Sequence, residues 1–241
     1  MNGNEERRQS LIKLASAAAF LAVAVVVVLI VISQSQSEGG DPSDVSGAAE
    51  IERQLAGIPQ AGLLLGNPAA DATLIEFGDL QCPVCKGFAE QILPPLIESK
   101  VRSGEARLEF RNFTIIDEQS VDAGAAAVAA GEQSRGWNFV ELFYRNQGIE
   151  ASGYVTDEFL TAIAEAAGVP NIERWNRARK SQPVIDTVEK TTAQAKRLEL
   201  GGTPSFAVEG PGVENPTGDG LEVIGTPQST GELEAAIDDA H

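Results

Sequence analysis

The apolar and polar positions form their clearest pattern in the first half of the chain. Residues 73–77 are an apolar run rich in β-forming side chains, and a Gly-Asp pair ends the run. A Cys-Pro-Val-Cys sequence follows at residues 82–85, and apolar residues then recur every three or four positions, at Phe88, Ile92, Leu96 and Ile97. The first pattern predicts a strand and the second a helix. We therefore predict a strand, a tight turn and a helix that begins with the two cysteines.

Further elements follow from the same two periodicities. Strands are predicted at residues 63–65, 107–114, 205–208 and 221–224. Helices are predicted at residues 51–58, over most of residues 118–200, and near the C-terminus, where Ser229 or Thr230 provides the cap. Pro94 and Pro95 should kink or split the helix after the cysteines, because each lacks a backbone N–H. The resulting order, β-β-α-β, a helical block and β-β-α, indicates an α/β domain.

An uncharged run of nineteen residues at 14–32 is dominated by Ala, Val, Leu and Ile. At about 1.5 Å per helical residue, its length matches the hydrocarbon thickness of a bilayer. Arg7, Arg8 and Lys13 precede the run and acidic residues follow it. The positive-inside rule therefore predicts a cytoplasmic N-terminus and an extracytoplasmic remainder. The alternative is a cleaved signal peptide, whose apolar region is usually shorter, at about 7 to 15 residues.

These segments divide the chain into four parts. A cytoplasmic N-terminus is predicted at residues 1–13, a single transmembrane anchor at 14–32, and a flexible tether with a short helix at 33–60. The tether is mostly Ser, Gln, Gly and Asp, so it has little apolar surface to bury. The folded domain is predicted at residues 61–241, with the helical block inserted at about 118–200.

The formal net charge of −17 argues against two classes of partner. Nucleic acids and anionic lipid surfaces both repel an acidic body, so we predict no nucleic-acid binding. The single histidine, His241, is the last residue, which argues against a Ser-His or Cys-His nucleophilic site. A zinc site would want four ligands, and the chain offers only two cysteines and this terminal histidine, so no metal site is predicted.

The two cysteines of the chain, Cys82 and Cys85, stand three residues apart at the predicted start of the helix. A helix N-terminus favours a thiolate, because it presents unpaired N–H groups and the positive end of the helix dipole. We therefore predict that Cys82 is an exposed nucleophile with a pKa below the ordinary value of about 8.5. Cys85, about one turn along the same face, would resolve mixed disulfides. A structural disulfide is the alternative, but so short a loop would restrict the unfolded chain only slightly.

Glu76 is a carboxylate inside the apolar run that precedes the cysteines. Burial would raise its pKa toward neutrality and make it a proton donor or acceptor. If the strand runs beneath the helix, Glu76 could relay a proton to Cys85 when a mixed disulfide resolves. The alternative is an edge strand on which Glu76 faces solvent.

The order of elements and five short motifs resemble the thioredoxin fold with a helical insertion, and more narrowly the membrane-anchored DsbA-like thiol-disulfide oxidoreductases. The resemblance covers about residues 63–240. It rests on Leu-Gly-Asn-Pro at 65–68, the ten residues 76–85, Gly-Trp-Asn-Phe at 136–139, Leu-Phe at 142–143 and Gly-Thr-Pro-Ser-Phe at 202–206. The specific part of the match is a Cys-x-x-Cys pair combined with a downstream Gly-Thr-Pro before a strand.

The resemblance implies roles for residues around the cysteines. It implies a cis peptide bond between Thr203 and Pro204 that faces the cysteines and holds substrate by backbone contact. Pro83 and Val84 would belong to the same substrate-binding surface. Glu76 falls at the family's buried-acid position beneath the second cysteine. No cofactor is implied beyond the redox-active disulfide itself.

Val84 departs from the family's strongest oxidants, which carry a histidine at this place between the cysteines. Valine cannot donate a hydrogen bond to the Cys82 thiolate, so we expect a less extreme oxidant. Asp79, in the loop before the motif, is a candidate for tuning the charge nearby. The Gly-Thr-Pro sequence at 225–227 follows the last predicted strand and is assigned to a turn.

The leading prediction is a single-pass membrane protein whose extracytoplasmic domain forms disulfides in exported proteins. Exported protein thiols would be its substrates, and a quinone-linked partner in the membrane would reoxidise it. A membrane-anchored thiol reductase or isomerase is one alternative. A non-catalytic, thioredoxin-like binding module is the other.

Overall fold

The computed structural model describes residues 45–213 and 218–241. The segment 14–32, for which a transmembrane anchor is predicted, lies outside these residues, as do residues 1–13 and residues 33–44 of the predicted tether. Within the described residues, no helix combines the length and the apolar character needed to cross a bilayer.

The described residues form one mixed six-stranded sheet in the order β1-β2-β4-β3-β5-β6. Its strands are β1 (Gln60–Ala61), β2 (Leu64–Gly66), β3 (Ala72–Gly78), β4 (Ala106–Asn112), β5 (Ser205–Glu209) and β6 (Glu222–Gly225). Strands β3 and β4 pair in parallel, and the other neighbours pair antiparallel. The predicted strands are therefore present, and β1 is an additional short edge strand.

The helices surround this sheet. They are α1 (Ala48–Leu55), α2 (Pro83–Gln91), α3 (Leu93–Leu96), α4 (Glu118–Gly131), α5 (Gly136–Arg145), α6 (Asp157–Ala166), α7 (Ile172–Ala178), α8 (Gln182–Arg197) and α9 (Thr230–Asp239). A π-helical turn, Ile97–Val101, follows α3. The break predicted at Pro94 and Pro95 is confirmed, because α2 ends at Gln91 and the chain resumes as α3 and the π turn. Ser229 caps α9 by accepting the N–H of Glu232.

Strand β3 is the centre of the sheet, with β4 on one side and β5 on the other. All of its residues are buried, as expected for a strand covered on both faces. Leu74 packs with Cys85 and the residues of α2 on one face, whereas Ile75 and Phe77 pack with Ala195 of α8 on the other. Glu76 therefore does not lie on an edge strand. It is 3% exposed, so its solvent-facing alternative is wrong.

The helical block between β4 and β5 does not cover a single face. Helix α8 lies against the face that carries Ile75 and Phe77, whereas aromatic side chains of α5 belong to the core on the opposite face. On that opposite face, Phe139 of α5 contacts Trp175 of α7. Helical periodicity shows that each segment is a helix, but it does not show which face of the sheet a helix covers.

Close contacts at its first turn fix α5 against the edge of the sheet. The indole N–H of Trp137 donates to the carbonyl oxygen of Leu63 at 2.8 Å, and its backbone N–H donates to Gln60 Oε1 at 3.1 Å. Gly136, the first residue of α5, lies against the backbone of Gly62. This contact determines where the rest of α5, including its buried polar side chains, meets the central strand.

Replacing Gly136 by alanine should therefore destabilise the protein. The new Cβ would collide with the carbonyl oxygen of Gly62 and would lie 2.8 Å from Leu63 Cδ2. We expect Gly136→Ala to lower the free energy of unfolding by about 1–3 kcal/mol, the usual range for overpacking. Urea unfolding measures this quantity.

The control is Gly87→Ala in α2, where nothing among the described residues lies within 4 Å of the added Cβ. Helix propensity favours alanine there by up to about 1 kcal/mol. Equal stabilities of the two variants would show that the approach of α5 to Gly62 is not tight.

Candidate active site

Cys82 is the N-cap of α2, and Pro83 is the first residue of the helix, as the sequence predicts. The backbone of Cys82 is extended, with φ −74° and ψ 120°. Its carbonyl oxygen accepts the N–H of Lys86 at 3.2 Å, which closes the first turn. The Cys82 sulfur is therefore held at the N-terminal end of α2, where unpaired backbone N–H groups are available to it.

Hydrogen bonds to its sulfur lower the pKa of Cys82 to about 6. The largest contribution is the hydrogen bond from the thiol of Cys85. The side chain of Thr203 and the backbone N–H groups of Cys85 and Val84 add to it, and partial burial opposes them. A thiolate is accordingly the major form of Cys82 at neutral pH, and a thiolate is the nucleophile of thiol chemistry.

The prediction that Cys82 is exposed is wrong, since it is only 7% exposed. Two segments from distant parts of the chain cover it. Thr203 places its carbonyl oxygen 3.4 Å from Cys82 Sγ, and Gln147, just after α5, donates to the carbonyl oxygens of Leu80 and Cys82 at 2.7 and 3.1 Å. The neighbouring Val84 is 53% exposed, so the rim of the site is open although the sulfur itself is nearly covered.

The peptide bond between Thr203 and Pro204 is cis. Pro204 is buried next to the start of β5, and its carbonyl oxygen accepts a hydrogen bond from Thr226 Oγ1 at 2.8 Å. Thr226 belongs to the second Gly-Thr-Pro sequence, which begins with the last residue of β6 and continues as a bend toward α9. This second motif therefore contacts the first, which the sequence did not indicate.

Cys85 is fully buried on the inner side of α2. Burial is the main reason why the pKa of its thiol lies well above the ordinary value, and its hydrogen bond to Cys82 and the charge of Glu76 act in the same direction. The two sulfurs thus differ in protonation. Cys82 is acidic and reachable at the rim, whereas Cys85 holds its proton in the interior.

Glu76 lies on the side of β3 that faces Cys85, and neither of its carboxyl oxygens has a hydrogen-bond partner among the described residues. Burial, followed by the charges of Glu141 and Cys82, raises the pKa of Glu76 to about 8. Its carboxyl group is therefore mostly protonated at neutral pH and can exchange a proton with a neighbouring group near that pH.

Asp79 differs from Glu76, because its carboxylate has many partners. It accepts the N–H groups of Gln81, Ile115 and Ile116 at 2.8–3.1 Å and the hydroxyl of Ser120 at 2.8 Å. These bonds tie the loop before the cysteines to the segment after β4. Asp79 thus fixes this loop, and its proposed effect on nearby charge stays a prediction.

Sequence reasoning missed several residues that shape this site. Gln81 is buried; its side-chain amide donates to Asp117 and to Ser120 Oγ, and its Oε1 accepts the N–H of Ala151 at 3.1 Å. Gln147, described above, is another. Both are polar residues without a periodic pattern, so they gave no signal. Glu141, an acid inside the apolar face of α5, carried the same signal as Glu76 and could have been found.

Within residues 45–213 and 218–241, no group of three or more His, Cys, Asp or Glu side chains is placed to hold a metal ion.

Comparisons with known proteins show which family the chain resembles. A family model described as Thioredoxin matches residues 60–239. The probable disulfide bond formation protein D of Bacillus cereus is 31% identical over 162 residues, which are 66% of this chain and 74% of that protein. The chain belongs to the DsbA-like thiol-disulfide oxidoreductases. It is therefore a protein-disulfide oxidoreductase.

Solved structures of DsbA-like proteins show the same fold. BdbD from Bacillus subtilis, in its oxidised form, superimposes with a TM-score of 0.64 and is 22% identical in sequence. The match covers 77% of this chain and 97% of the BdbD chain. Wolbachia pipientis alpha-DsbA1 superimposes with a TM-score of 0.60 and is 18% identical in sequence. The match covers 77% of this chain and 92% of the alpha-DsbA1 chain. These likenesses support a thioredoxin fold with a mixed sheet flanked by helices.

The difference in pKa between Cys82 and Cys85 predicts how the thiols of the reduced protein titrate. We expect the ultraviolet absorbance of thiolate to rise with a midpoint near pH 6, because Cys82 has a pKa of about 6 and Cys85 ionises far above it. Cys82→Ser should remove this transition, and Cys85→Ala should shift it upward, because alanine cannot donate the hydrogen bond that contributes most to the low pKa of Cys82. A wild-type midpoint near the ordinary value of about 8.5 would contradict the site described here.

Proposed function

We propose that this DsbA-like protein is an oxidase that forms disulfides in exported proteins by exchange at Cys82 and Cys85. The observation that supports this direction of electron transfer is the stabilised thiolate of Cys82 beside the buried thiol of Cys85. A stable thiolate favours the reduced enzyme over its disulfide, so the disulfide is a good acceptor of electrons.

The first step is attack by a substrate thiolate on Cys82 Sγ of the oxidised enzyme. A bond forms between the substrate sulfur and Cys82, the bond between Cys82 and Cys85 breaks, and Cys85 leaves as a thiolate. Cys85 is buried and favours its neutral form, so this thiolate takes up a proton. Glu76, mostly protonated at neutral pH and facing Cys85, is the proposed donor of that proton.

The second step releases the product. A second substrate thiolate attacks the substrate sulfur of the mixed disulfide, and Cys82 leaves as a thiolate that α2 and its neighbours stabilise. Two electrons have then passed from the substrate dithiol to the enzyme dithiol, and the substrate holds a new disulfide. When the enzyme is reoxidised, Cys85 must lose its proton again, and Glu76 is the proposed acceptor.

The substrate would lie over the rim of the site. Thr203 and Pro204 border the Cys82 sulfur on one side, and Pro83 and Val84 are exposed on the other. We propose that these four residues contact the polypeptide on either side of the substrate cysteine. The exposed valine offers an apolar surface of the kind that an unfolded chain presents.

The location and the redox partner are proposed on other grounds. The apolar run at 14–32 and the basic residues before it favour a membrane anchor with the catalytic domain outside the cytoplasm. Disulfides persist in such compartments. A quinone-linked membrane protein is the proposed oxidant, because electrons taken from substrates must leave the enzyme and an anchored domain can meet a membrane partner.

A reductase is the second candidate, and Val84 is the observation that favours it. The side chain of valine gives the Cys82 thiolate no hydrogen bond, so the thiolate depends on Cys85, Thr203 and backbone groups. The thiolate pKa of about 6 lies between the values of about 7 for thioredoxin and about 3.5 for DsbA.

The reduction potential separates the two directions. We expect a value between those of thioredoxin, about −270 mV, and DsbA, about −120 mV, because the pKa of Cys82 falls between theirs. Equilibration of the full chain with glutathione redox buffers measures the potential. A potential near or below about −270 mV would overturn the oxidase and favour the reductase.

The proton-transfer role of Glu76 is tested by Glu76→Gln. We expect this variant to slow dithiol oxidation at neutral pH at least about tenfold, because the buried Cys85 thiolate loses its proton donor. The pKa of Cys82 should stay nearly unchanged, because Glu76 is already neutral near pH 6, where Cys82 titrates. Unchanged turnover in a normally folded variant would leave Glu76 with a structural role only.

A further inference from the structure

A second buried carboxyl group, on Glu141, lies inside the domain and has no part in the two exchange steps. Glu141 is on α5 and is 4% exposed. Its Oε1 is buried and finds no hydrogen-bond partner in the described part of the chain. An unpaired buried carboxyl group costs free energy, so its presence next to the buried aromatic side chains of α5 calls for a physical reason.

Glu141 shares a face of α5 with Tyr144, which stands three residues later. Tyr144 reaches the active site, where its hydroxyl donates to the carbonyl oxygen of Asp79 at 3.3 Å. A Cβ atom placed on Gly78 would lie 2.9 Å from Tyr144 Oη and 3.1 Å from Glu76 Oε1. The face of α5 that carries Glu141 therefore packs against the side of β3 from which Glu76 projects.

The two carboxyl groups also interact electrostatically. The charge of Glu141 is the second cause, after burial, of the raised pKa of Glu76. Both oxygens of Glu76 are buried and unpartnered within the described residues, but only one oxygen of Glu141 is. Glu141 is therefore the less enclosed member of the pair.

Outward from Glu141, the charged groups belong to the surface. Arg145, one turn further along α5, and Glu90 of α2 act on Glu141 in opposite directions, and burial outweighs both, so the pKa of Glu141 is raised to about 8. Arg145 pairs with Glu50 at 3.0 Å, and Glu90 is exposed. Glu141 thus interacts electrostatically with the buried Glu76 on one side and with Arg145 and Glu90, which lie nearer solvent, on the other.

We propose that Glu141 passes protons between Glu76 and solvent, and so acts on Cys85 through Glu76. This inference rests on the proposed role of Glu76. After Glu76 gives its proton to the Cys85 thiolate, the carboxyl group of Glu141 donates a proton to the Glu76 carboxylate. Water then reprotonates Glu141. Enzyme reoxidation runs the same transfers in reverse, and no electrons move in them. Glu141 is a positioning residue in this scheme, because it does not touch the sulfurs.

Two substitutions separate proton transfer from packing. Glu141→Gln keeps the size of the side chain but cannot carry the proton, whereas Glu141→Asp keeps the carboxyl group but is one methylene shorter. A purely structural role predicts that Gln is tolerated better than Asp, because Gln preserves the packing. Proton transfer predicts the opposite order of rates.

The measurement is single-turnover oxidation of the reduced full chain by oxidised glutathione, in dilute buffer at neutral pH. In this direction Glu76 must pass its proton to Glu141 before it can accept the proton of Cys85. We expect Glu141→Gln to slow the reaction about tenfold and Glu141→Asp to stay within about threefold of wild type. Urea unfolding of both variants should show that Asp, not Gln, loses more stability. Equal rates for wild type and Glu141→Gln, with Glu76→Gln slow, would overturn the role of Glu141 and leave that of Glu76 intact.

A second measurement needs no turnover. Infrared titration of the carboxyl groups should show that the midpoint of Glu76 falls in Glu141→Gln, because a neighbouring negative charge has been removed. The thiolate midpoint of Cys82 should not move, which confirms that the site is intact. An unshifted Glu76 midpoint would show that the two carboxyl groups do not interact and would overturn the inference whichever way the enzyme transfers electrons.

Discussion

The hydrogen bonds to the sulfur of Cys82 are the interaction on which the rest of this structure depends. They come from the thiol of Cys85, from Thr203 and from the backbone at the start of α2. These donors belong to two distant segments of the chain, and a displacement of either would weaken the thiolate. Much of the fold can be understood as the means of holding them. Asp79 accepts hydrogen bonds that fix the loop before Cys82, and Gln147, in the helical block, donates a hydrogen bond to the same loop. Thr226 donates a hydrogen bond to the carbonyl oxygen of Pro204.

The same packing that stabilises one sulfur as an anion keeps the other neutral. Cys82 lies where backbone N–H groups are unpaired, whereas Cys85, about one turn further along the helix, lies in the apolar core with Glu76 below it. Disulfide exchange needs this difference, because one sulfur must leave or attack at the rim while the other changes its protonation inside. A buried thiol that changes protonation requires a nearby carrier of protons. The proton transfer that we propose would give Glu76, and beyond it Glu141, a physical reason for their unpaired carboxyl oxygens in the core.

Local features of the site could be predicted from the sequence, and those that depend on long-range packing could not. The strand, the turn and the helix around Cys82 were predictable, because periodicity and the position of Pro83 are local signals. The sequence alone leaves the placement of Glu76 open, because only the pairing of β3 with both β4 and β5 removes it from solvent. The low exposure of Cys82 also escaped prediction, since the covering segments come from residues 65 and 121 positions away. The cis bond at Thr203 was expected only by resemblance to a family.

The central claim is that Cys82, not Cys85, is the sulfur that exchanges with substrate. The most direct test is to trap the mixed disulfide. Cys85→Ser and Cys82→Ser variants of the full chain would each be treated with a peptide that carries an activated disulfide. Mass spectrometry would then map the adducts. We expect rapid formation of an adduct at Cys82 in Cys85→Ser and little or none at the buried Cys85 in Cys82→Ser. Equal reaction of both variants, or reaction of Cys85 alone, would contradict it.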